Sequence, residues 1–478
     1  MIFTLPLLIS FALLPWAQAN PFQYLDTRFN YNNLKKDDVS AFGEFKSNYT
    51  TYYFDQPLDH KNPKSITFKN RYWVETKYYK PGGPVIITNG GEASAYPADG
   101  YFQNTVFKLM AQKMNGIIVL FEHRYYGESH LPAGQNPQWK YLTVEQSLED
   151  MANFIKHGKK LAGIPYDVSV PKTKWIIRGG SYSGNLASWM RYKYPDLVSA
   201  AVSSSAPVQP QIDFYQYFNP IIQYGPSKCI NALHNIVVAV DSFVANHPAP
   251  SAENTKYKAI FGMDASTSDA DFTNAVSGLA TGLWQSAYPG HYPFQEKVCS
   301  LFAKTNDPKK QFDIYAKWIK AQVSRNQNIS KRQADPYENS WYWQICTEFG
   351  YWQNVPPKNT PWFKRRITSN LTTTEYYKQG CKQLFNFHGD ANVKNILNKY
   401  KGWDLHYNKI IWINGDWDPW KPLSVEGYDA PKRRNTTFEK SLMIPNGVHC
   451  FDYDTDATLT NLHTYTIKTL KSWLNIKK

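Results

Sequence analysis

Five short apolar runs, at 85–88, 117–121, 175–177, 200–203 and 410–413, each end in loop residues. Runs that short and continuous are those of parallel strands buried on both faces. Between them lie stretches with apolar residues at helical spacing, such as YLTVEQSLEDMANFI at 141–155. Alternating strands and helices predict an α/β fold with a mostly parallel sheet. Right-handed crossovers then gather the loops at the carboxyl ends of the strands on one face, where ligands bind.

Residues 209–338 break this rhythm. They carry aromatic and polar helical patterns and a proline-rich break at 246–250, with no comparable strands. This predicts a mainly helical cap, inserted after the first part of the sheet domain (20–208) and before its second part (339–478). The strand-then-loop pattern returns in KIIWINGDWDPW, and 459–476 has the spacing of an amphipathic helix covering one face. There is no internal repeat.

The first nineteen residues, MIFTLPLLISFALLPWAQA, hold no charge and end in Ala17-Gln18-Ala19. That is the pattern of a signal peptide, 1–19, cleaved before Asn20. Beyond it no run of about 18 consecutive apolar residues appears, so no stable membrane insertion is expected. Entry into the secretory pathway makes four Asn-x-Ser/Thr triplets, at Asn48, Asn328, Asn370 and Asn435, candidate glycosylation sites. It also lets four of the five cysteines pair, in three connectivities that spacing does not rank. The pairing adopted is Cys229 with Cys299 and Cys346 with Cys381, leaving Cys450. The formal charge of +14 comes from short groups such as Lys364-Arg365-Arg366 and Lys432-Arg433-Arg434, without a nucleic-acid module. A solvated basic surface is expected, and no nucleic-acid partner.

The candidate chemistry begins at 173–195, TKWIIRGGSYSGNLASWMRYKYP. A strand stops at two glycines and a helix starts just beyond Ser181. A turn that sharp pushes the serine side chain out above the sheet, which is the setting of a nucleophile. A serine hydroxyl needs a base, and the base needs an orienting acid. In α/β-hydrolase folds these follow the serine as acid, then histidine. Asp416 and Asp418 follow the late strand, and the pattern favours Asp418, whose following proline holds it extended; Asp416 after Gly415 suits a turn. His449 falls in a loop beyond, whereas His463 falls in the last helix. Two N–H donors for a developing oxyanion are expected from Tyr182, after the nucleophile, and from Gly91 or Glu92 in NGGEAS. The sequence reads Ser183 where the usual G-x-S-x-G motif has its second glycine.

The segment RGGSYSGNLASWMRYKYP resembles the nucleophile region of the serine peptidase family containing lysosomal Pro-X carboxypeptidase, dipeptidyl peptidase II and thymus-specific serine protease. The likeness extends through FDQPLDH, TFKNRYWV, GGEAS, FEHRYYGES, CTEFGYWQ, NGDWDPW and GVHCFD, nearly the whole mature chain. It implies an α/β-hydrolase fold with a helical cap, a triad of Ser181, Asp418 and His449, and Glu92 in the oxyanion loop. EHRYYG reads as a buried polar network. Family members that cleave after proline carry Gly-Gly-Met after Ser-Tyr, while this chain has Ser183-Gly184-Asn185, an amide in place of an apolar wall. Trp420 and Tyr351 are at positions resembling pocket-lining ones, and Glu348 is a candidate partner for a substrate ammonium.

The expectation is therefore a secreted or lysosomal serine exopeptidase, a carboxypeptidase or dipeptidyl peptidase acting on peptides, with Pro–X bonds as one substrate class. It implies no metal and no organic cofactor, and leaves room for a homodimer. An esterase or lipase on the same triad and a non-catalytic secreted binding glycoprotein are the alternatives.

Overall fold

The computed structural model describes residues 47–103, 105–132, 138–330 and 339–476, with the side chains of 325–330 left out. The expected signal peptide and the side chain of Asn328 therefore lie outside what is described.

Among the described residues ten strands follow one another: β1 (Tyr52–Pro57), β2 (Thr67–Glu75), β3 (Val85–Asn89), β4 (Ile117–Phe121), β5 (Trp175–Gly180), β6 (Ala200–Ser204), β7 (Gln211–Asp213), β8 (Gly350–Trp352), β9 (Ile410–Gly415) and β10 (Glu439–Ile444). Eight form one sheet, in the order β1-β2-β4-β3-β5-β6-β9-β10. From β4 onward every pairing is parallel, while β1 with β2 and β2 with β4 are antiparallel. Every residue of β3, β4, β5, β6 and β9 is buried. Helices cover both faces of a parallel sheet, which is why these strands read as unbroken apolar runs. This is the α/β-hydrolase arrangement.

The antiparallel edge escaped the apolar-run reading because β2, TFKNRYWVE, mixes exposed and buried positions. The helix expected over 141–155 starts instead at Val144 and runs to Lys156, since the Thr143 side chain accepts the Gln146 N–H and caps it there. Trp139–Tyr141 forms a separate 3-10 turn.

Between β6 and β9 the chain leaves the main sheet. Helices Phe218–Tyr224, Ser227–Asn246, Ala252–Ile260, Asp269–Thr281 and Pro308–Ser330 come first, and Thr374–Phe385 and Val393–Tyr400 precede the return at Ile410. Parallel pairing of β7, at the start of this excursion, with β8, after the first five of these helices, forms a separate two-stranded sheet. A cap spanning 209–338 remains our proposal. Disulfides join Cys229 to Cys299 and Cys346 to Cys381, and Cys450 is a buried free thiol. Ser227–Asn246 is the one helix among the described residues long and apolar enough to cross a membrane, and half of it is buried inside the protein. The final helix, Thr460–Leu474, buries Ile467, Leu470, Trp473 and Leu474 and packs against the helix Val106–Met114.

Two arginines of the basic groups are structural. Arg366 pairs with buried Asp241 at 3.1 Å and Arg433 with Glu439 at 2.5 Å.

Candidate active site

Ser181 stands between the carboxyl end of β5 and the helix Tyr182–Lys193, with φ 58° and ψ −135°. A positive φ is costly for a residue with a Cβ, and such strain persists only where the surroundings enforce it. The enforcement is visible. Its N–H donates to Ser204 O at 3.0 Å, and its carbonyl accepts from the N–H groups of Gly184 and Asn185 at 2.9 and 3.1 Å. The preceding glycines leave room for the turn. A Cβ on Gly179 would lie 2.0 Å from the Ser183 carbonyl oxygen, and one on Gly180 would lie 2.7 Å from Cys450 Sγ. The second contact also brings the segments bearing Ser181 and His449 side by side.

Asp418 lies beyond the carboxyl end of β9, fully buried. The Trp420 N–H donates to its Oδ1 at 2.8 Å. His449 Nδ1 lies 2.9 and 3.0 Å from the two Asp418 carboxylate oxygens. Burial of the imidazole opposes its protonation, but the Asp418 carboxylate, with Cys450 beside it, outweighs burial and lifts the ring above its ordinary value. The carboxylate that contacts His449 is thus that of Asp418, and Asp416 Oδ1 has no hydrogen-bond partner.

Of the expected oxyanion donors, Tyr182 opens a helix, where the first N–H groups have no partner inside the helix. In the NGGEAS loop the geometry corrects the expectation for Gly91, whose N–H is taken by Asn89 Oδ1 at 2.8 Å. Glu92 comes next, and its Oε1 also accepts from Ser181 Oγ at 3.5 Å. A carboxylate beside Ser181 is a feature that the motif alone did not announce.

Beside this centre Trp420 and Tyr351 belong to one aromatic cluster. The Trp420 ring lies 6.2 Å from that of His449 and 5.4 Å from that of Tyr351. Phe214 and Tyr217, at 5.3 and 5.6 Å from Trp420, complete it and were missed, because isolated aromatics in an aromatic-rich segment give no sequence signal. Trp420 Nε1 and the Tyr217 hydroxyl both donate to Gln285 Oε1, at 2.8 and 2.7 Å. Asn185 is buried behind Tyr351. Its Nδ2 donates to Pro207 O at 3.1 Å and Tyr351 Oη at 3.5 Å, and its Oδ1 has no partner.

Glu348 departs from its expected role. It is buried, and both carboxylate oxygens accept from the Val144 N–H at 3.2 and 3.0 Å, at the start of the helix Val144–Lys156. Burial pushes its carboxyl up to about 8, against the pull of that N–H. A carboxyl committed to a helix N-terminus answers to the helix rather than to a substrate amine. In EHRYYG, Glu122, His123 and Arg124 form a buried polar network, as expected of charged residues following a strand there. Glu122 pairs with Arg71 at 2.7 Å and Arg124 with Asp150 at 2.6 Å. His123 Nε2 meets the Tyr182 hydroxyl at 3.1 Å, and burial holds its imidazole down to about 4. Asn48, Asn370 and Asn435 are exposed.

Residues 56–462 match the family model described as serine carboxypeptidase S28. The chain belongs to this family. A relative named "Probable extracellular serine carboxypeptidase" from Arthroderma benhamiae is 32% identical over 454 residues, which cover 83% of this chain and 62% of that protein. The S28 chain thus spans less than two thirds of that fungal relative's length. The thymus-specific serine proteases of Mus musculus and Homo sapiens are 27% and 26% identical, covering 84% and 86% of this chain and 82% and 84% of their own.

Proposed function

We propose that this S28 protein is a secreted serine exopeptidase that cleaves peptide bonds near chain termini through an acyl-enzyme. Ser181 Oγ attacks the peptide carbonyl carbon while His449 Nε2 takes its proton. Asp418 keeps the Nδ1 proton in place and stabilises the imidazolium that forms. The N–H groups of Tyr182 and Glu92 hold the oxyanion, each donor contributing roughly 3 to 4 kcal/mol in the transition state. The imidazolium then returns its proton to the departing amine, and water repeats the sequence to release the acyl group. The observation that carries this reading is the His449–Asp418 contact in a loop that abuts the strained Ser181 turn.

Pro–X bonds are the finer form of the proposal. Trp420 and Tyr351 supply the apolar surface that a proline ring needs, and Asn185 behind Tyr351 works against it, since its buried Oδ1 has no partner and such an unsatisfied polar group costs on the order of 1 to 3 kcal/mol. Secretion is supported by the signal-peptide pattern of residues 1–19, by the two disulfides and by the extracellular name of the fungal relative. A peptide-library digest read by mass spectrometry tests the reading. Release of terminal residues, abolished in Ser181→Ala, is expected; internal cleavage of folded proteins, or digestion that survives Ser181→Ala, would overturn it.

A further inference from the structure

Asp452 is fully buried, three residues beyond His449, and takes no part in the His449–Asp418 contact. Its Oδ2 accepts from Arg178 Nη2, and its Oδ1 accepts from the Ser204 hydroxyl. Arg178 lies in β5, three residues before Ser181, and is itself fully buried. Ser204 ends β6, and its carbonyl is the one that receives the Ser181 N–H at 3.0 Å. One carboxylate in the histidine loop thus grips both strands that shape the nucleophile turn. The same loop is held again by the Cys450 N–H, which donates to Ser205 Oγ at 2.9 Å.

A buried ion pair is a poor source of net stability, because the cost of dehydrating both charges offsets their attraction. Its effect here is geometric: the second grip comes from behind the turn, independent of Asp418. We infer that Asp452, through Arg178 and Ser204, is a positioning residue that sets the separation of the His449 imidazole from the Ser181 hydroxyl. Asp418 sets the orientation and tautomer of the ring; Asp452 sets where the ring stands. The inference rests on the proposed roles of Ser181 and His449.

The experiment compares wild type with Asp452→Leu/Arg178→Met, which leaves neither charge buried alone. Active sites are counted by fluorophosphonate titration, so kcat refers to folded, reactive enzyme only. The expected result is a fall in kcat of about 100-fold, the size of effect a misplacement near 1 Å produces. KM stays within about twofold and the acid limb of the pH profile does not move, because the Asp418 contact is intact. A kcat per site equal to wild type overturns the inference. Absence of labelling in the wild type would instead sink the proposed role of Ser181. Should the double variant not fold, Ser204→Ala removes one grip and leaves the backbone bond to Ser181. It is expected to lower kcat per site about three- to tenfold, the worth of one hydrogen bond. An unchanged kcat in that variant also overturns the inference.

Discussion

His449 Nδ1 meets both carboxylate oxygens of Asp418, at 2.9 and 3.0 Å, across a separation of 31 residues. Two near-equal contacts from a fully buried carboxylate hold the ring in a single tautomer. Asp418→Asn offers an amide that can present an N–H to Nδ1 and select the wrong tautomer. We expect kcat to fall about 10⁴-fold in this variant, and about a million-fold in Ser181→Ala. Steady-state kinetics on a peptide substrate checks both, and an Asp418→Asn enzyme within tenfold of wild type would refute the role given to Asp418.

The acid limb of kcat/KM follows from the same contact. His449 must be neutral to accept a proton, and Asp418 raises its proton affinity, so activity should begin to fall above the ordinary histidine value of about 6.5. For stability the sign is opposite. The folded ring holds its proton more tightly than the unfolded one, so the pair stabilises fully below about 6.5 and loses that contribution as pH rises through the raised value. A kcat/KM profile whose acid limb lies below 6 would contradict the assignment.

Glu348 governs a second pH dependence. In the unfolded chain its carboxyl ionises near the ordinary 4.5, in the folded protein only near 8, so across that window the native state keeps a proton the unfolded state has lost. Stability should therefore drop as pH rises from 4.5 to 8, by up to a few kcal/mol. Thermal melts of Glu348→Gln should show a flatter dependence over that interval. A slope identical to wild type would mean that Glu348 is already ionised when folded.

Asn185 sets a test of the pocket. Asn185→Met removes the unpaired Oδ1 and extends the apolar surface behind Tyr351. In a competitive digest the ratio of cleavage after proline to cleavage after polar residues should rise about tenfold. No change in that ratio would remove Asn185 from the determinants of specificity.

The two disulfides close separations of 70 and 35 residues. By loop-closure entropy each contributes about 4 kcal/mol, the longer slightly more. Chemical denaturation of Cys229→Ser/Cys299→Ser and of Cys346→Ser/Cys381→Ser measures this, and a midpoint unchanged in either variant would contradict it.

Much of this was legible along the chain because local rules govern it. Strands buried on both faces are dominated by apolar residues, so β3, β4, β5, β6 and β9 announced themselves by their apolar stretches, and the order of Ser181, Asp418 and His449 could be followed from strand end to strand end. The turn at Ser181 was readable for the same reason: only glycines tolerate the close approach that Ser183 and Cys450 make there. Other features depended on which side chains meet across the fold, and no spacing encodes that. Gly91 and Glu92 were equivalent until the Asn89 side chain was seen to take the Gly91 N–H. Glu348 looked available to a substrate until Val144, 204 positions earlier, proved to be its partner. Asp452 and Arg178 are 274 positions apart, and their pairing exists only because the sheet sets β5 against the histidine loop. Hydrogen bonds and ion pairs act over a few ångströms in space, whatever the distance along the chain, so packing alone chose these partners.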